Sequence, residues 1–93
     1  RESLMLIIGK LYKNQVGYLE YYNQPLLNNE ETESDAIQLE HGEIVLFLGL
    51  EKIDSNTYDL KFLYKNKIIY TTYNFDIYQF KKQVQKDFKE ITT

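Results

Sequence analysis

The chain has 93 residues, no cysteine, one proline, one histidine and a formal net charge of −3. That length has room for one domain, 1–93, with a single shared core. Disulfide frameworks and cysteine-based metal sites are excluded. The longest apolar run, Ile44–Leu50, is strand-sized rather than the ~18 residues of a membrane span. Leu4–Ile8 is too short for a secretory h-region. A cytoplasmic protein without a membrane partner is the expectation.

Met5 is the sole methionine, so Arg1–Leu4 read equally well as native or as a foreign lead before a start at Met5. Asn, Ile, Lys and Tyr make up 35 residues, a bias that fits an AT-rich genome. Residues 1–60 carry four basic and eleven acidic groups, whereas 61–93 carry seven lysines against Asp76, Asp87 and Glu90.

In chain order, Leu4–Tyr12 and Val16–Tyr22 read as a first hairpin around Lys13-Asn14-Gln15, with Gly9 and Gly17 marking a bulge or a close approach. Residues 23–35, with Pro25 and the run Glu30-Glu31-Thr32-Glu33-Ser34-Asp35, read as a flexible acidic loop. Ile37–Leu39 alternates like a short strand, and His41-Gly42-Glu43 is a turn. Ile44–Leu48 is continuously apolar and reads as a strand buried on both faces. Asp54-Ser55-Asn56 is a turn signal.

Residues 57–73 alternate on both sides of a two-residue loop, at Lys65-Asn66 or Asn66-Lys67. Either loop puts Tyr58, Leu60, Phe62, Tyr64, Ile69, Thr71 and Tyr73 on one face, which is the core face. Asp59, Lys61, Leu63, Ile68, Tyr70 and Thr72 take the other, where Leu63, Ile68 and Tyr70 leave a small apolar spot. A helix follows, with Asp76 as N-cap, Gln79 completing a capping box and Phe75 and Phe80 placed as a staple. Ile77, Phe80, Val84, Phe88 and Ile91 recur at helical spacing within an arc of about 80°. Lys82, Lys86 and Lys89 lie opposite. The core is expected to hold Val45, Phe47, Leu60, Phe62, Phe80, Val84 and Phe88.

Catalytic chemistry finds little support. His41 is the only imidazole, and Ser3, Ser34 and Ser55 sit in no nucleophile elbow. One histidine is too few for a zinc site. The acidic run lacks the glycine and final glutamate of a calcium loop, and the scattered glycines form no phosphate cradle. No enzyme activity, metal or cofactor is expected. The nine tyrosines stand out, because tyrosine suits binding surfaces at low entropic cost. Candidate contact residues are Tyr18, Tyr21, Tyr22, Lys82, Lys86 and Lys89.

Ile37–Gly49, followed by the hairpin Tyr58–Tyr73, resembles the central strands of SH3-like barrels and the small accessory proteins of tailed phages built on that plan. The resemblance implies a mainly β fold, a small strongly bent sheet or SH3-like barrel of 5–6 strands with a C-terminal α-helix packed on it. It also implies a non-enzymatic interaction module, a phage- or virus-type accessory protein that binds another protein. The alternative is a small nucleic-acid-binding barrel using Tyr and the C-terminal lysines. An acidic pI of about 5.1 and a single arginine favour the protein partner. Tyrosines and lysines sharing one surface would favour nucleic acid.

Overall fold

The structure, a computed structural model, describes residues 6–16, 19–21 and 37–91. The acidic loop 23–35, Tyr18, Tyr22, Gly17 and Arg1–Leu4 lie outside the described residues.

Among the described residues, seven strands and one helix follow in the order β1 (Leu11–Asn14), β2 (Leu19–Tyr21), β3 (Ile37–Leu39), β4 (Ile44–Asp54), β5 (Thr57–Tyr64), β6 (Lys67–Asn74), α1 (Ile77–Asp87) and β7 (Phe88–Glu90). Five form an antiparallel sheet in the order β6-β5-β4-β1-β7, and β2 pairs with β3 apart from it.

The β5–β6 hairpin turns on Lys65-Asn66. Both residues have positive φ, 50° and 67°, as a type I′ turn requires. Its register pairs Tyr58 with Tyr73, Leu60 with Thr71 and Phe62 with Ile69. All six are buried, so the expected core face is the observed one. The seven expected core residues are buried too.

Asp76 caps the helix, its Oδ1 accepting from the Gln79 N–H at 2.9 Å. Phe80 stacks on Tyr58 with centroids 4.2 Å apart and meets Tyr73 edge-on at 5.6 Å. Phe75 is more than a third exposed, and its ring neighbour is Tyr73. The helix joins the two outermost strands. Eleven residues span about 16 Å, close to the ~19 Å across four inter-strand gaps. Phe80 and Val84 are thereby laid over the sheet.

That crossing overturns the SH3-like barrel and the strongly bent sheet, and the likeness to phage accessory proteins that rested on them. β6 and β7 do not pair, and the sheet is open. The volume that a barrel would close by curling is filled by α1, together with Tyr21 and Leu39 of the β2–β3 pair. The fold is mainly β rather than all-β.

Three local expectations also change. β1 and β2 form no hairpin, because β1 inserts between β4 and β7 while β2 pairs with β3. The corner is held by Asn14, fully buried, whose Nδ2 donates to the carbonyls of Val16, Leu39 and Glu40 at 3.0–3.2 Å. Its Oδ1 accepts from the Val16 N–H. Second, the helix stops at Asp87 rather than running on through Ile91. Phe88 is extended, its N–H closing on the Val84 carbonyl, and Phe88–Glu90 pair with β1. Third, Ile44–Leu48 is covered on one face only, with Val45 and Phe47 buried and Ile44 48% exposed.

A buried polar cluster closes the end of α1. The Tyr73 hydroxyl donates to Asp87 Oδ2 at 2.6 Å, and Gln83 Nε2 donates to Oδ1 at 3.0 Å. The Asp87 carbonyl accepts from the Gln15 N–H. Tyr21 also lies in Asp87's field, and its buried hydroxyl has no hydrogen-bond partner among the described residues. Burial foremost, then the bond to Asp87 and its charge, push the Tyr73 hydroxyl far above its ordinary range. Burial and Asp87 do the same to Tyr21.

Candidate functional site

The face of the sheet turned away from α1 carries an apolar row across four adjacent strands. Leu11 of β1 stands opposite Leu46 of β4, Leu46 opposite Leu63 of β5, and Leu63 opposite Ile68 of β6. Ile91, just past β7, extends the row, its N–H bonding the Leu11 carbonyl at 3.0 Å. Strand alternation forces this placement, because Tyr12, Val45, Phe62 and Ile69, the next residues along, point into the core. Leu11 is 45% and Ile68 46% exposed, and Ile44 lies beside the row. Single exposed apolar side chains are ordinary; here they stand side by side in a contiguous row.

Charged side chains of both signs flank the row. Toward β7, Lys13 and Lys89 stand directly opposite each other beside Ile44. Like charges in that position disfavour the pairing slightly. Toward β6, the β4 bulge between Phe47 and Gly49 opens a cleft of about 200 Å³ lined by Gly49, Glu51, Asp59, Lys61 and Tyr70, with Leu48 and Leu50. Asp59 is buried there, its Oδ1 accepting from the Thr72 hydroxyl at 2.6 Å.

At the start of β4 the Tyr64 hydroxyl donates to Glu43 Oε1 at 2.5 Å. That bond is the main reason the Glu43 carboxyl sits below its ordinary range and the Tyr64 hydroxyl above its own. It ties the His41-Gly42-Glu43 turn to the β5–β6 hairpin.

The residues singled out in sequence do not converge. Tyr21 is fully buried and offers no contact surface. Lys82 and Lys86 are exposed on α1, but Lys89 is on β7. The lysine stripe is broken because the helix ends before it. Tyr78, 75% exposed, stands one turn before Lys82, so one tyrosine shares the helix face with two lysines. His41 is exposed on its turn. Of the row, sequence alternation identified Leu63 and Ile68. Leu11, Leu46 and Ile91 were missed, since only long-range pairing brings them alongside.

Among the described residues no three potential metal ligands cluster, and no helix is long and apolar enough to cross a membrane. Comparison with known families, characterised proteins and solved structures gives no match.

Proposed function

We propose that the chain is a non-enzymatic interaction module that receives a partner protein on the uncovered face of its sheet. The supporting observation is the apolar row from Ile91 to Ile68, which crosses four strands and ends just past β7. Its flanks carry both signs of charge, Lys13, Lys89 and Glu90 on one side and Glu51 and Lys61 on the other. A mixed-sign rim around an apolar centre suits a protein surface, whereas a phosphate polymer would favour one positive field.

The test is capture from a nuclease-treated lysate of the source cells by wild type and by Leu11→Asp/Ile44→Asp. The expected result is a discrete protein retained by wild type and lost with the double variant. Capture that the substitutions leave unchanged would refute the site.

The exposed Tyr78 beside Lys82 and Lys86 supports a second reading, single-stranded nucleic acid stacked and held on α1. Lys82→Glu/Lys86→Glu should abolish single-strand binding if it is right, and leave partner capture intact if the sheet face is the site.

A further inference from the structure

The two edges of the sheet are guarded very differently. β7 has three residues, two of them Lys89 and Glu90, and is bonded to β1 on its inner side. Shortness and charge are the usual protections of an edge. β6 has eight residues, Lys-Ile-Ile-Tyr-Thr-Thr-Tyr-Asn, with no proline, no register shift against β5 and its single charge at the first position.

Which of its backbone groups are free follows from the turn. In a two-residue I′ hairpin the flanking pair, Tyr64 and Lys67, is a hydrogen-bonded one, and such pairs alternate along the ladder. Lys67, Ile69, Thr71 and Tyr73 therefore bond inward to β5. Ile68, Tyr70 and Thr72 aim their N–H and C=O groups outward. Among the described residues no strand pairs with that side. β2 packs near β6 without joining its ladder.

We infer that β6 pairs with β6 of a second copy, antiparallel about a two-fold axis, to make one ten-stranded sheet. A second copy fits because the edge is self-complementary. The register that joins the most residues sets Tyr70 opposite its own counterpart on the axis, with Ile68 opposite Thr72 on both sides. It also brings Lys67 of one copy toward the end of β6 where Asp76 of the other begins α1, twice by symmetry. Asp76 is exposed, as is Lys67. An unrelated extended peptide would satisfy the main chain alone, with no such matched ends. The dimer would place both uncovered faces on one side of the joined sheet. The inference uses the edge and is independent of the partner-protein reading.

The experiment is sedimentation velocity on the full chain across a concentration series. Wild type should pass from the 11.2 kDa monomer to twice that mass. Tyr70→Pro removes one outward N–H and no bond to β5, so it should stay monomeric at concentrations where wild type is dimeric. A second measurement is safe for folding. The chain has no cysteine, so Tyr70→Cys introduces a single thiol facing its counterpart at a Cα separation of about 5.5 Å, within disulfide reach. Oxidation should give a covalent dimer. Ile68→Cys, whose copies lie about 13 Å apart along the strands, should not. A wild type that stays monomeric, a folded Tyr70→Pro dimer, or equal cross-linking at both positions would overturn the inference. Leu11→Asp/Ile44→Asp should keep the dimer while losing the partner, so the two readings fail separately.

Discussion

One face of the five-stranded sheet is covered by α1 and the β2–β3 pair, and the other is exposed. On the covered face Tyr58, Leu60, Phe62, Ile69 and Tyr73 are buried against Phe80, Val84, Tyr21 and Leu39. On the exposed face the row from Ile91 to Ile68 is as apolar in composition but only partly buried. The strands supply both faces from alternate residues of one chain. The covered face is therefore explained by stability, and the other needs a different reason to be apolar.

The largest contrast is expected from Phe80→Ala. It removes a fully buried ring stacked on Tyr58 and should cost about 3–5 kcal/mol. At about 4–8 °C per kcal/mol for a domain of this size, thermal melts will show it plainly. A loss below about 1 kcal/mol would mean that α1 is not seated on the sheet.

Asn14→Asp should come next. The Asn14 amide donates to three carbonyls, and a carboxylate can donate to none of them when ionised. Leaving these groups unpaired in a buried site should cost about 1–3 kcal/mol or more, read from urea midpoints. Asn14→Ala should be milder, since it brings no charge.

The buried cluster offers a paired test. Tyr73→Phe takes away a bond to a carboxylate and should cost about 1.5–3 kcal/mol. Tyr21→Phe removes a hydroxyl with no hydrogen-bond partner among the described residues and should change stability by about 0.5 kcal/mol or less, or raise it. Both tyrosines have folded-state values raised above the unfolded value of about 10. Their contribution is therefore complete below that pH and is lost as pH climbs past it, because the unfolded chain ionises first. Between pH 8 and 11 the melting temperature should lose these tyrosines' contribution only above about pH 10, with a larger drop for wild type than for Tyr21→Phe.

The two faces were unequally legible in the sequence. The β5–β6 hairpin and its faces followed from period-two alternation, and the helix start followed from Asp76 and the Phe80–Val84 spacing. Both are local signals. The helix end was misread because Phe88 and Ile91 continue a helical spacing, while a three-residue strand is too short to show its own period. β1 was paired with the wrong strand, since nothing near Leu11 marks partners 35 and 78 residues away. Asn14 read as a turn residue because two of its three acceptors, the Leu39 and Glu40 carbonyls, lie on a segment some 25 residues away. The exposed row inherits these gaps, as it exists only once β1, β4 and β7 are placed side by side.

The most direct measurement of the difference between the faces is to set stability and capture side by side for Leu11→Asp/Ile44→Asp. Both residues are nearly half exposed, so each substitution should cost about 1 kcal/mol or less, well short of Phe80→Ala. Partner capture should be lost. A melting temperature lowered as far as that of Phe80→Ala, or capture equal to wild type, would contradict the assignment of the exposed face as the binding surface.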